Sequence, residues 1–487
     1  MRVCLLEEGK VYDLREVVGS RCRDVEGREL GESITFMRAQ IEGFSRLFRR
    51  KSKVSFGFSV RLDAPAPRVV GGKLFSGFWS GVFVYSPSSS SSGAGGEPIY
   101  IVIEPRVKNY HGMLSLIEEV LFGFSDFQLL THAAPLLSPT LLSLDAIRSV
   151  LLEVQLLLER EPKLLSQLVA SESGEFLDVS VGGRGIAYKA LSMRRHLNFS
   201  LALSLAVAVR SIANALGGCK SILGELGSAL KELRSEQGST QSDGKAGESL
   251  LKAIEKYVLR MKSYLSALLS DEFIAYSLSS LDAVGIDEIG LEKYWHVVHA
   301  ARAVGRSTQW SESYFGRSRQ FLLPSTKVYE LYVYAALVDA LRRELEGDFV
   351  EECGTLALCI SGTELFFNHY PERFSKIIRA ISRATPSPDI FYSADRLAAP
   401  IECKYRELGD PKLRLGDAER LLSYLADSSK DEKLKAVVVS LSATTPGPVK
   451  ASIDGKEMEV YFAEINPDKP EKERESQVQQ VLSLLTS

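Results

Sequence analysis

Cysteine is scarce and scattered. The six residues, Cys4, Cys22, Cys219, Cys353, Cys359 and Cys403, include no CxxC pair. Six cysteines in 487 residues build neither a disulfide scaffold nor a zinc ribbon, so a reducing interior is expected. Long apolar runs are also missing. The most apolar helical stretch, near Leu201–Leu216, is broken by Arg210 and Asn214 and is short for a bilayer span. The N-terminal stretch Met1–Leu14 holds no apolar segment of signal-peptide length. The expectation is a cytoplasmic chain with no membrane segment. No GxxxxGK[ST] loop occurs, so any nucleotide energy must come from a partner, and no GxSxG elbow supports a serine hydrolase. Neither sign of charge dominates: 59 basic residues face 62 acidic ones, for a net charge of −3. The chain is no polycation, and nucleic acid could be held only by local basic patches.

What is present divides into three stretches, as expected for a chain too long for one ordinary core. Residues 1–110 are rich in short alternating runs: Val54–Val60, Gly77–Trp79, Val82–Tyr85 and Ile99–Ile103. The serine- and glycine-rich segment Ser86–Gly96 between the last two suits a surface loop or hairpin tip. Residues 111–320 show mainly helical spacing, beginning with Met113, Leu114, Ile117, Val120 and Leu121. Phe176–Tyr188 suggests a strand pair, and the polar gap Ser235–Ser249 a disordered connection. Residues 321–487 read as an α/β domain. A helix is predicted from Pro324 to about Glu346, capped by Ser325 or Thr326. Strands are predicted near 355–360, 388–393 and 399–405, then a helix over 413–427. A strand over Leu434–Leu441, a hairpin turning at Asp454-Gly455 and a closing polar helix complete it. The fold class is α+β and multidomain: a β-rich N-terminal domain, a helical middle and a C-terminal α/β domain.

One constellation in the last stretch carries chemistry: Ser387-Pro388-Asp389-Ile390 followed by Ile401-Glu402-Cys403-Lys404-Tyr405-Arg406. Residues two apart on a strand share a face, so Glu402 and Lys404 project together while Ile401 and Cys403 face a core. Asp389 stands thirteen positions before Glu402, and a hairpin through Ser393–Ala399 brings the two side by side. Two carboxylates with a lysine suit hydrolysis of a phosphodiester. Magnesium takes hard oxygen ligands, and an ammonium can position water or offset transition-state charge. An acid-x-Lys pair alone is as often an exposed strand face. A third acid, Glu330, is the single charge in Val328–Val338, where burying a carboxylate is costly without a compensating cation. The bland alternative for Glu330 is an exposed stripe or a favourable place near the helix N-terminus.

These segments resemble the PD-(D/E)xK nuclease superfamily and, within it, the McrC-like subunits of modification-dependent restriction systems. Ser325–Glu330 is similar to that family's helix with its Tyr-Glu pair, Ser387–Ile390 to its Pro-Asp step, and Ile401–Arg406 to its acid-x-Lys strand. Ile101–Val107 resembles its strand before a helix. Glu402 stands where many McrC-like members carry Asp, a departure the superfamily pattern allows. The resemblance implies a restriction-endonuclease-like C-terminal domain. It implies Mg2+, with Mn2+ able to substitute, held by Asp389 and Glu402 and supported by Glu330, and Lys404 acting on water or the transition state. It further implies DNA contacts at Tyr405, Arg406 and Arg420, with a solvated helix face an equal alternative for Arg420. An AAA+ NTPase partner of the McrB-like kind would engage the N-terminal part, and oligomerisation could follow through it.

Two basic clusters have interleaved aromatics. Arg46, Arg49, Arg50, Lys51 and Lys53 accompany Phe44 and Phe48, and Arg49, Arg50 and Lys51 are candidate DNA contacts. Lys293, Arg302, Arg306, Arg317 and Arg319 accompany Trp295, Trp310 and Tyr314, and either cluster suits a solvated surface or a protein-partner face equally well. His296 and His299 share a helical side but lack a third ligand, which favours ordinary packing. Two rival functions stay open. One is a stand-alone nuclease of the same superfamily, in repair or defence. The other is a non-catalytic activator of a partner NTPase.

Overall fold

The computed structural model of the chain describes residues 2–13, 17, 22–24, 53–55, 59–61, 68–85, 99–122, most of 207–233, 245–269, 324–345 and most of 349–486. The N-terminal region holds strands β1 (Arg2–Glu7), β2 (Val11–Asp13), β3 (Cys22–Asp24), β4 (Lys53–Ser55), β5 (Ser59–Arg61), β6 (Arg68–Val70), β7 (Lys73–Phe75), β8 (Gly81–Tyr85) and β9 (Ile99–Glu104). The principal sheet there has the order β3-β1-β9-β8, with β1 and β9 parallel over six register pairs. The alternating run Val54–Val60 is not one strand. It divides into β4 and β5, paired antiparallel with Ser55 opposite Ser59, which gives the two backbones ladder partners that one isolated strand would lack. Gly77–Trp79, expected as a strand, is a turn entering β8; Gly77 has φ 71°, outside any strand conformation. Cys4 is disulfide-bonded, contrary to the expectation of thiols throughout, and lies in register with Cys22. Cys359 and Cys403 are free.

Helix α1 (Tyr110–Ile117) runs straight into a π-helical turn, Glu118–Phe122. Helix α2 (Lys245–Leu269) packs against α1. Its first residues, Lys245–Ser249, belong to the polar gap expected to be disordered, but Ala246 and Ser249 are buried, and Ser249 Oγ accepts from His111 N at 2.8 Å. Glu118 is nearly enclosed and forms ion pairs with Lys256 and Arg260 of α2. The strand pair expected at Phe176–Tyr188, the residues Arg49, Arg50 and Lys51, the cluster from Lys293 to Arg319 and both His296 and His299 lie outside the described residues.

Helix α3 (Ser325–Glu344) leads into the C-terminal sheet of β10 (Phe349–Glu352), β11 (Thr355–Ile360), β12 (Thr363–Phe367), β13 (Ile390–Ala394), β14 (Leu397–Leu408), β15 (Lys433–Ala443), β16 (Val449–Ile453) and β17 (Lys456–Glu464). Helix α4 (Leu415–Asp427) connects β14 to β15, and α5 (Glu471–Thr486) closes the chain. The order is β10-β11-β12-β13-β14-β15-β17-β16. Pairing is antiparallel from β10 to β14, parallel at β14/β15 and β15/β17, and antiparallel again at β16/β17. The parallel step from β14 to β15 needs a crossover, and α4 supplies it. Ile453 pairs with Lys456 at the end of the β16/β17 ladder, and the predicted turn residues Asp454 and Gly455 lie outside the described residues.

The two faces of this sheet are covered by different helices. Ile401, Cys403 and Tyr405 of β14 share an apolar cluster with α3 and α5, whereas Val438 of β15 shares one with Leu421 and Leu425 of α4. Helix α3 is buried around nearly its whole circumference, so its apolar residues form no single stripe. Its larger cluster runs on without a break into α1, α2 and the N-terminal sheet, including Leu5, Val82 and Val102. No helix among the described residues is long and apolar enough to cross a membrane.

The start of α3 departs from the capping prediction. Pro324 is the N-cap residue, and no side chain caps the helix. Instead the first backbone N–H, of Ser325, donates to Phe78 O at 2.8 Å, and Ser325 Oγ lies 2.9 Å from Ser80 Oγ. A tertiary contact thus satisfies one of the N–H groups that every helix start leaves open. Ser80 Oγ donates to Glu8 Oε2 at 2.6 Å, and Arg106 stacks over Phe78 at 5.2 Å. Gly9 sits beside this junction at φ 70°, where a Cβ would meet the Arg106 guanidinium at 2.5 Å. The left-handed backbone, which side chains rarely adopt, is what calls for glycine here.

Candidate active site

Strand register builds the site. Ile390 pairs with Ile401 at the end of the β13/β14 ladder, so Asp389, one residue earlier, comes opposite Glu402, one residue later. The Asp389 carboxylate is tied to the neighbouring strand: its Oδ2 accepts from Cys403 N at 2.8 Å. Glu402 and Lys404 share the face of β14 turned toward α4, and Lys404 Nζ donates to Glu402 Oε2 at 3.1 Å. The same ammonium donates to Asp417 Oδ1 on α4, also at 3.1 Å. Arg420, one turn further along α4, donates to Asp417 Oδ1 at 2.9 Å and approaches Glu402 Oε2 at 3.6 Å.

From the opposite side α3 contributes two charges. Lys327 Nζ lies 2.8 Å from Glu330 Oε2 and 3.9 Å from Asp389 Oδ1. Lys327 and Glu330 are each 5% exposed, Asp389 8% and Glu402 1%. Asp389 is therefore the joint between an α3 group, Lys327 with Glu330, and a β14/α4 group, Glu402 with Lys404, Asp417 and Arg420.

Electrostatics follow from this enclosure. Burial and then the nearby Asp389 charge push the Glu402 carboxyl up to about 7. Burial alone would lower Lys404, but the fields of Glu402, Asp389 and Asp417 outweigh it and hold the ammonium above its ordinary value. Asp417, although partly desolvated, is held low by Lys404 and Arg420. Glu402 Oε1 is buried and has no hydrogen-bond partner, although its other oxygen is well served.

A hard cation fits part of this set. Asp389 and Glu402 offer adjacent carboxylate oxygens, one of them unpartnered and desolvated, which is the donor chemistry such an ion takes. The fit is not a ready three-acid cage: no group of three or more His, Cys, Asp or Glu among the described residues is placed to hold a metal ion. Glu330 is drawn to Lys327 instead.

The remaining expected contacts divide. Arg406 approaches Asp417 Oδ2 at 3.9 Å, and its Nε is a buried donor without a partner. Arg420 is about half exposed beside the site. Tyr405 points the other way. It is buried in the α3 cluster, its ring lies 5.6 Å from that of Tyr329, and its hydroxyl accepts from Arg106 N at 3.2 Å. Strand alternation explains this, since Tyr405 follows Lys404 by one residue. It joins the N-terminal region to the strand that bears Glu402 and Lys404.

Two residues at the site were not singled out from sequence. Lys327 is three residues before Glu330 on the same helical side, a spacing visible in the sequence. Asp417 had no such signal, because its meeting with Lys404 depends on how the crossover helix lies on the sheet.

No family model matches the chain, and no curated protein sequence matches it. Among solved structures, a chain from the tetradecameric assembly of Thermococcus gammatolerans McrB AAA+ hexamers with bound McrC is similar at 11% identity and a TM-score of 0.40, over 99% of this chain and 99% of that one. At that identity and TM-score, the likeness does not establish a shared fold.

Proposed function

We propose that the chain is a metal-dependent DNA endonuclease subunit, of the McrC-like kind within the PD-(D/E)xK superfamily, that works with an AAA+ NTPase. One observation carries it: the β13/β14 register sets Asp389 opposite Glu402, with the Lys404 ammonium on the same face. Asp389 and Glu402 would hold the ion, and Glu330 acts on Asp389 through Lys327. Bound Mg2+ would supply charge neutralisation at the phosphoryl oxygens and a more acidic water. Lys404, held between Glu402 and Asp417, presents a fixed ammonium for orienting water or stabilising negative charge. Arg406 and Arg420 would meet phosphates at the rim. The absence of a nucleotide loop from the sequence is the reason for assigning NTP hydrolysis to a partner.

The test is cleavage of plasmid DNA in Mg2+ by the full chain, with and without the candidate NTPase. Asp389→Ala and Lys404→Ala are each expected to lower cleavage by about a hundredfold or more. Unchanged cleavage in both variants refutes the proposal, and full activity without any NTPase favours a stand-alone nuclease. A second reading, a non-catalytic activator of the partner, draws on the pairing of Glu330 and Glu402 with lysines. It predicts that both variants still stimulate the NTPase while even the parent chain leaves DNA intact.

A further inference from the structure

The position of Lys327 bears on how many cations the proposed site can take. Its side chain starts in the first turn of α3 and ends between two carboxylates, 2.8 Å from Glu330 Oε2 and 3.9 Å from Asp389 Oδ1. All three residues are over nine-tenths buried. Enclosing an ammonium is unfavourable unless negative partners compensate it, and the same holds for each carboxylate. A lysine in this place performs one of the tasks of a bridging divalent ion: it neutralises two acids and fixes their separation. It cannot offer an open coordination position, so it takes no part in activating water.

The other side of Asp389 differs. Glu402, opposite it across the β13/β14 ladder, keeps one buried oxygen without a partner. Asp389 thus stands between a carboxylate already served by Lys327 and one with donor capacity to spare.

We infer that Lys327 is a built-in counter-cation occupying the place between Glu330 and Asp389 that a second divalent ion would otherwise fill, so that the site admits one divalent ion, at Asp389 and Glu402. This rests on the metal-dependent reading above and adds a stoichiometry to it. It also gives Glu330 a definite task, holding Lys327 in place, and makes both of them positioning residues.

The experiment is Mn2+ titration of the full chain, with free Mn2+ followed by electron paramagnetic resonance and folding checked by circular dichroism. The parent chain is expected to bind one Mn2+ that Asp389→Asn abolishes. Lys327→Met is expected to bind one more Mn2+ per chain, and Lys327→Met combined with Glu330→Gln to lose it again. Lys327→Gln carries the same expectation should the Met variant not fold. An unchanged count in Lys327→Met and Lys327→Gln overturns the inference, as does a parent chain that already binds two ions dependent on Asp389 and Glu330. Binding by neither parent nor variants removes the metal-dependent reading itself. One Mn2+ in all of them removes only the role of Lys327.

Discussion

At the residue scale, buried carboxylates are the informative groups, because each needs a compensating partner. Glu402, Glu330 and Asp389 have lysines near them, while Glu8 has Ser80, Ser325 and Arg106. Burial pushes the Glu8 carboxyl from its ordinary 4.5 up to about 7. Between those values the native chain keeps a proton that the unfolded chain has lost. The resulting stability is fully present below about pH 4.5 and is lost as the pH rises through about 7, a change on the order of 3 kcal/mol. Glu8→Gln keeps a hydrogen-bond acceptor for Ser80 without the titration. Relative to Glu8→Gln, the parent chain is therefore expected to lose stability between pH 5 and 8, read as the difference between their urea midpoints. A constant difference across that range would remove the argument.

At the scale of elements, α3 has the most to hold. It carries Lys327 and Glu330, is buried on almost all sides and begins on contacts from the N-terminal region. Leu337, fully buried in its middle, should cost about 2–5 kcal/mol when replaced by Ala, seen as a lower denaturation midpoint with little change in slope. The helix itself was legible in the sequence, as were β14 and the β16/β17 hairpin, because each has a strong local pattern and a clear punctuation. The start of α3 was not. Its expected serine or threonine cap gives way to Phe78 O and Ser80, which lie more than two hundred residues away in sequence. Tyr405 was misplaced as a phosphate contact for a related reason: the family resemblance implied a place in the cleft, but strand alternation turns it into the core.

For the whole molecule, the continuity of one apolar cluster from β1 through α1, α2 and α3 to the large sheet predicts joint unfolding of these parts. Leu5→Ala in β1 and Leu337→Ala in α3 are expected to lower the midpoint of the same calorimetric transition. Two transitions, each sensitive to only one substitution, would show instead that the parts unfold separately. The Arg106–Tyr405 hydrogen bond and the Glu8–Ser80–Ser325 chain cross between the same regions, so an event at the N-terminal sheet has a direct structural route to the first turn of α3.

The sequence by itself determined the alternation of β14, the pairing of Glu402 with Lys404 on one face and the isolation of Glu330 in an apolar helix. Those are local properties, set by a two-residue or 3.6-residue period. Only the tertiary structure decided that Asp389 joins two groups of charges, that Lys327 stands between Glu330 and Asp389, and that Asp417 holds Lys404 from the crossover helix. These contacts join elements distant in the chain, and their partners are chosen by sheet register and helix packing, which no short stretch of sequence encodes.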